Sequence, residues 1–263
     1  MTFMKRRAGF RLNNRWLLGI AGLIIIFMLF FLARILSRVP PVEPEHKPIE
    51  ITRQDLDAYT KMLGRVELDT ISIAQLPPDL QQVFKQALKM INHRELKDCI
   101  YRLTKMLGKR TVEERALIKL FIGFSYYELG EPVSALNAFK EGLELSGLSE
   151  TQIYHRTVAQ LAFNTGYIFQ LYAQPESALY YYRQSEKTVI PQTTADSLLM
   201  GIILNNSAVA SEATGDTSTA RQLYTSALNY LNNIGAEEEA TKVEKNLQRL
   251  TIKSPAGQHQ FSP

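Results

Sequence analysis

Residues 123–143 read GFSYYELGEPVSALNAFKEGL, and the stretches 166–186 and 208–228 repeat the same spacing without gaps. Each copy places a small residue, then an aromatic, then an alanine, and four positions later a second aromatic; only Ser211 breaks the series. From Asp79 onward apolar residues recur at intervals of three and four, and alternating strand-like runs are absent. This pattern predicts an all-α fold built from repeated helical units.

The spacing predicts two helices per unit, joined by a tight turn. A small residue in the first helix allows the second helix to approach closely, and the turn falls at Leu129-Gly130-Glu131 in one copy and at Thr214-Gly215-Asp216 in another. The alanine and the following aromatic share one face of the second helix, so the aromatic fills the wedge between the two helices. Each pair leaves an apolar face that a neighbouring pair covers, and the units therefore stack.

Two further segments extend the array. A weaker unit precedes the three copies, with helices at 79–92 and 95–107 and a turn at His93-Arg94-Glu95. After them, a polar helix carries one apolar stripe from Ala236 to Leu250, as a solvating cap helix does. The sequence therefore predicts a domain over residues 79–252 with three to four helical hairpins and a C-terminal cap helix.

The three quoted segments resemble the tetratricopeptide repeat (TPR) family, in which helical hairpins stack into an α-solenoid. Two features depart from the family pattern. Lys119, Ala162 and Leu204 stand where the family has a large aromatic, and the repeated alanines are 43 and 42 residues apart, against about 34 in the standard unit. The resemblance implies a TPR-like architecture with a longer period.

The resemblance also implies a binding surface for protein partners, because the first helices of TPR-like hairpins line a concave face. The residues that this face would present are Leu120, Phe124, Tyr127, Phe163, Asn164, Tyr167, Gln170, Asn205, Asn206 and Val209. Asn164 and Asn206 resemble the asparagines by which TPR-like grooves hold a peptide backbone. An aromatic, curved surface suits an apolar or extended peptide. The alternative is that long helices, or residues 51–78 folding back, cover much of this face.

An apolar run near the N-terminus, WLLGIAGLIIIFMLFFLA at residues 16–33, holds no charged side chain. Its 18 residues would span about 27 Å as a helix, close to a bilayer's hydrocarbon core. Five basic residues precede the run and two follow it, which favours a cytoplasmic N-terminus. The alternative, a cleaved signal peptide, has a shorter apolar core and small residues at its cut.

These observations predict the order of the remaining segments. A cytoplasmic basic segment (1–15) leads into one transmembrane helix (16–36) of an inner-membrane protein. A proline-rich spacer and a segment of ambiguous structure (37–78) then connect to a periplasmic helical domain, and a disordered tail (253–263) closes the chain.

Charge and motif content exclude several functions. The first 38 residues carry seven basic and no acidic side chains, while the rest carries 23 basic and 26 acidic ones, so the body is mildly acidic and nucleic-acid binding is not predicted. The four histidines stand far apart, and we predict no metal. Cys99 has the phase of a buried apolar residue. No phosphate loop, nucleophile motif or catalytic carboxylate pair is present, so we predict a non-enzyme without a cofactor.

The leading prediction is a single-pass membrane protein whose periplasmic TPR-like domain binds protein partners and assembles or stabilises an envelope membrane complex. One alternative is a cytosol-facing receptor for targeting peptides. The other is a periplasmic holdase-type chaperone with many clients.

Overall fold

The computed structural model describes residues 62–63, 73–74, 76–146 and 155–253, except for the side chains of Lys109 and of residues 251–253. Within these ranges the regular structure is α-helical, with one 3-10 turn at Leu107–Lys109, and the predicted all-α class is confirmed there. The helices are α1 (Pro78–Asn92), α2 (Leu96–Met106), α3 (Val112–Glu128), α4 (Pro132–Ser146), α5 (His155–Leu171), α6 (Pro175–Thr188), α7 (Thr194–Ala213), α8 (Thr217–Asn233) and α9 (Glu237–Lys253).

Several predictions concern segments outside the described residues. These are the basic segment 1–15, the transmembrane helix 16–36, most of the spacer 37–78, and the tail after Lys253. Among the helices that the structure does describe, none combines the length and the apolar character needed to cross a bilayer. Membrane anchoring therefore stays a prediction from the sequence.

The helices pack as stacked hairpins. The pairs α1/α2, α3/α4, α5/α6 and α7/α8 each pack together, neighbouring pairs contact through α2/α3, α4/α5 and α6/α7, and α9 packs on α8. Within the described residues the structure thus contains four hairpins and a cap helix, in agreement with the predicted three to four hairpins and cap. The first helices of successive pairs also contact one another, α1 with α3, α3 with α5, and α5 with α7. We call the side that they form the first-helix face.

Close approach of the two helices in a hairpin depends on the small residues of the repeat. A Cβ atom on Gly123 would lie 2.4 Å from Cε1 of Phe139, and one on Gly166 would lie 2.8 Å from Cδ1 of Tyr182. Real Cβ atoms do not approach a ring so closely, so the aromatic of the second helix occupies the space that glycine leaves. Tyr182 and Tyr224, the aromatics of the second and third copies, are completely buried. The wedge predicted from the spacing is confirmed.

One turn geometry recurs wherever a hairpin closes. The last turn of α3 ends with Gly130 donating to the Tyr127 carbonyl at 3.0 Å and Glu131 donating to the Tyr126 carbonyl at 2.9 Å. This Schellman pair satisfies carbonyls that the helix end leaves open, and it needs one residue in the left-handed region. The residues in that region are Arg94 (φ 62°), Gly130 (79°), Ala173 (54°), Gly215 (87°) and Gly235 (70°).

Side-chain caps fix where two first helices begin. Thr111 accepts a hydrogen bond from the Glu114 backbone N–H at 3.2 Å, and Glu114 accepts one from the Thr111 N–H at 3.1 Å. Thr193 and Asp196 form the same reciprocal box at the start of α7. Both boxes satisfy backbone donors that have no partner inside the helix.

The single cysteine lies in the core, as its phase predicts. Cys99 is 1% exposed on α2, and the Ser125 hydroxyl of α3 donates to its Sγ at 3.7 Å. Burial raises the pKa of this thiol, with the Ser125 hydrogen bond opposing the rise. Cys99 therefore packs as a small apolar residue between the first two hairpins.

Candidate partner-binding face

The face predicted for partners is largely enclosed. Nine of the ten predicted residues are buried, and Tyr127 is partly exposed. Tyr127 contacts Tyr167 edge to face, with ring centroids 6.0 Å apart, and Phe163 lies 6.2 Å from Tyr167 and 5.6 Å from Tyr182. Three of the predicted aromatic residues, Tyr127 on α3 and Tyr167 and Phe163 on α5, thus form one continuous row that ends at Tyr182. Burial and the neighbouring Tyr167 raise the pKa of Tyr182 well above its ordinary value, so its hydroxyl stays neutral.

Asn206 forms two hydrogen bonds to the backbone of Leu63, a residue that lies far earlier in the chain. The Leu63 N–H donates to Oδ1 of Asn206 at 2.9 Å, and Nδ2 of Asn206 donates to the Leu63 carbonyl at 3.1 Å. One side-chain amide thereby satisfies both polar groups of one peptide residue, as a neighbouring β-strand would. Because both bonds go to backbone atoms, this contact holds the main chain at Leu63 and does not depend on the identity of its side chain.

The amide of Asn206 is the end of a longer hydrogen-bonded series. Arg249 donates to Oδ1 of Asn246 at 3.0 Å, and Nδ2 of Asn246 donates to Oδ1 of Asn205 at 3.1 Å. Nδ2 of Asn205 then donates to Oδ1 of Asn206 at 3.0 Å. Every side-chain donor in this series points the same way, from the guanidinium on α9 toward the Leu63 carbonyl. Each bond therefore polarises the next, and the cap helix helps to orient Asn206.

The segment held by Asn206 is itself buried. Met62 is 3% exposed and Leu63 is 4% exposed, and both belong to the same apolar cluster as the helical core. Within 51–78, Leu63 therefore contacts the predicted face through Asn206. The alternative interpretation predicted such a contact for the whole segment. The TPR resemblance implies that Asn206 holds the backbone of a peptide. In this structure the backbone that it holds belongs to Leu63 of the same chain.

Gln170 is another buried amide on this face, and unlike Asn206 it has no hydrogen-bond partner among the described residues. Gln170 on α5 is 4% exposed, and within the described residues neither Nε2 nor Oε1 makes a hydrogen bond. A buried amide without partners costs about 1–3 kcal/mol, so native proteins retain few of them. Gln170 follows Tyr167 by one helical turn, and it therefore adds an unused donor and acceptor to the aromatic row.

Sequence reasoning missed four members of this arrangement: Met62, Leu63, Asn246 and Arg249. Asn246 did carry a signal, because it stands three residues after Val243, on the apolar stripe of an otherwise polar helix. A buried position with an amide implies a polar partner across the helix interface. Met62 and Leu63 carried no signal, since two apolar residues in a stretch of sequence without clear periodicity specify no location.

In the part of the chain that the structure describes, no three His, Cys, Asp or Glu side chains converge as metal ligands would. The amide series, the aromatic row and the enclosed backbone of Leu63 are all contacts within the chain itself.

Comparison with known proteins gives structural likenesses only. No family model and no curated protein matches the chain. It is similar to a solved protein of Podosopora anserina, described as a provisional kinesin light chain with nearly identical TPR-like repeats, at 12% identity and TM-score 0.45, over 70% of this chain and 100% of the other. It is also similar to BtubC (BKLC) from P. vanneervenii, at 14% identity and TM-score 0.41, over 80% and 95% of the two chains.

Proposed function

We propose that this chain is a membrane-tethered, helical-repeat scaffold that holds extended segments of protein partners on its first-helix face. The observation that carries the proposal is the pair of hydrogen bonds from Asn206 to both polar groups of Leu63. A face that already holds one residue through its backbone has the chemistry to hold another. The unused amide of Gln170 and the aromatic row beside it extend this surface.

The proposal includes a location. The apolar run at 16–33 serves as the tether, and the excess of basic residues before it directs the helical domain to the periplasmic side. There the scaffold assembles or stabilises an envelope membrane complex. Protease added to intact spheroplasts checks the topology: the domain is degraded from outside if it is periplasmic and protected if it is a cytosol-facing receptor.

Site-specific photocrosslinking in native membranes tests the binding face. A photoreactive phenylalanine replaces Tyr127, which is partly exposed at the edge of the aromatic row, and in a matched control it replaces Val133, which is 61% exposed on the second helix α4. We expect one stoichiometric protein adduct at Tyr127 and none at Val133. Equal adducts at both positions would contradict the proposal, and a broad range of unfolded clients at Tyr127 would indicate a holdase instead.

A further inference from the structure

We propose that Met62–Leu63 is an internal ligand of the first-helix face, which a partner's extended peptide must displace. This inference rests on the proposed function and adds its regulation and the chemistry of the partner. The contact joins residues 143 positions apart, and it uses the two backbone groups of Leu63 that any residue except proline would offer. The partner is therefore an extended peptide with an adjacent pair of apolar side chains, which take the buried positions of Met62 and Leu63.

Gln170 indicates that the internal ligand is incomplete. Its amide is enclosed with no partner among the described residues, whereas the amide of Asn206 already bonds both backbone groups of Leu63. A peptide that also satisfied Gln170 would remove an unsatisfied buried amide, which the resident segment leaves in place. A partner thus has an interaction available that Met62–Leu63 does not make, and this difference favours exchange.

Tethering sets how strongly the internal ligand competes. A segment joined to its own binding face experiences an effective concentration in the millimolar range, so an identical free peptide at micromolar concentration binds poorly. The apparent affinity for a partner falls in proportion to the fraction of molecules with an open face. Weakening the internal ligand should therefore strengthen binding of a peptide added in trans.

The test uses the full chain in detergent micelles and a fluorescein-labelled peptide of its own residues 58–68, AYTKMLGRVEL, followed by fluorescence anisotropy. The double substitution Met62→Ser with Leu63→Ser removes the two apolar side chains from the internal segment. We expect at least tenfold tighter binding of the probe to this variant than to the unmodified chain. The same probe carrying Leu63→Pro, which lacks the N–H donor, should bind at least tenfold more weakly.

Asn206→Asp, added to the double variant, tests whether the probe occupies the same site. It keeps the shape and the acceptor of the side chain but loses the donor to the peptide carbonyl, and at least a tenfold loss of affinity is expected. Asn137→Asp is the matched control, since Asn137 is exposed on α4, and it should leave the Kd within twofold. Circular dichroism verifies helicity, and Leu63→Ala replaces the double variant if that variant unfolds.

Three results would overturn the inference. Equal binding by the unmodified chain and the double variant would mean that the face is open, while leaving the proposed function intact. A folded double variant that binds no probe would make Met62–Leu63 a permanent part of the core; crosslinking at Tyr127 then decides separately whether partners bind. A dimer of the unmodified chain that the double variant abolishes would place the segment on a second copy.

Discussion

Nδ2 of Asn246 on the cap helix donates a hydrogen bond of 3.1 Å to Oδ1 of Asn205 on α7, and both side chains are buried. This bond connects the last helix to the amide series that ends at Leu63. The cap helix therefore does more than shield the apolar side of the fourth hairpin. It supplies the donor that orients the residues of the first-helix face.

Asn246→Leu should lower the free energy of unfolding by about 1–3 kcal/mol, because it removes a donor to the buried Asn205 and the acceptor of Arg249. Urea denaturation measures the change, with the exposed Asn137→Leu as the control. The continuous series also predicts coupling between Asn246→Leu and Leu63→Ala of about 0.5 kcal/mol or more in a double-mutant cycle. Additive effects would contradict the idea that the cap helix orients Asn206.

Gly123→Ala should destabilise the fold although alanine is the better helix former. The propensity gain is about 1 kcal/mol, whereas overpacking of a buried ring costs about 1–3 kcal/mol. The new Cβ would lie 2.4 Å from the Phe139 ring, which is 2% exposed and has little room to move. Thermal denaturation should show a lower Tm, and Phe139→Leu in the same chain should restore part of it. Gly108→Ala, whose Cβ meets nothing within 4 Å, should leave Tm almost unchanged.

The hairpin turns predict substitutions of opposite sign at equivalent positions. Ala173 holds a left-handed conformation (φ 54°) that costs a residue with a Cβ about 1–2 kcal/mol. Ala173→Gly removes this strain but adds about 0.4–1 kcal/mol of unfolded-state entropy, so a net gain near 0.5 kcal/mol is expected. Gly215→Ala introduces the same strain and should cost about 1 kcal/mol. Chemical denaturation of the two variants checks the signs, and changes in the same direction would refute the explanation.

The link between Arg156 on α5 and Asp196 on α7 predicts an acid-sensitive contribution to stability. Burial alone raises the pKa of Asp196, but the Thr193 hydroxyl and Arg156 outweigh it and lower the pKa below its usual value. A carboxyl with a lowered folded-state pKa stabilises the fold above its unfolded pKa, and this contribution is lost as the pH falls through the folded value. Asp196→Asn should cost about 1–2 kcal/mol at neutral pH.

Measurements at several pH values distinguish the charge of Asp196 from its packing and capping as the source of this stability. The difference in unfolding free energy between the unmodified chain and Asp196→Asn should shrink as the pH falls below roughly 5, and it should vanish only below the lowered folded-state pKa of the carboxyl. Urea titrations at several pH values measure it, and Arg156→Gln serves as the matched variant on the other partner. A difference that is independent of pH would mean that Asp196 acts through packing or capping alone.

The hairpins could be predicted because their determinants are local. The distance from Gly123 to Phe139 along the sequence reflects two helical faces and one turn, and each of these is set by neighbours within a few residues. The same holds for the Thr111–Glu114 cap and for the left-handed residue that ends each first helix. Repetition at the same spacing then required stacking, since one pair cannot bury its apolar face alone.

The candidate face could be predicted only in part. Its helical residues follow from the repeat, and the resemblance to TPR proteins implied a backbone-holding role for Asn206. The partner of Asn206 could not be inferred, because Leu63 lies in a segment without periodicity and 143 residues away. Asn246 and Gln170 show the same limit. The sequence places both amides at buried positions, but only the packing decides that Asn246 meets Asn205 and Arg249 and that Gln170 meets no partner among the described residues.

By itself the sequence determined helices, turns, caps and the order of the stack, because each of these depends on interactions within one hairpin or between adjacent ones. Only the tertiary structure decided that Leu63 bonds to Asn206 on α7 and that the cap helix donates to the amide series. It alone also showed that Gln170 is enclosed without a partner among the described residues. Hydrogen bonds between remote segments depend on distance and direction in space, and these are not encoded in a local pattern of residue types.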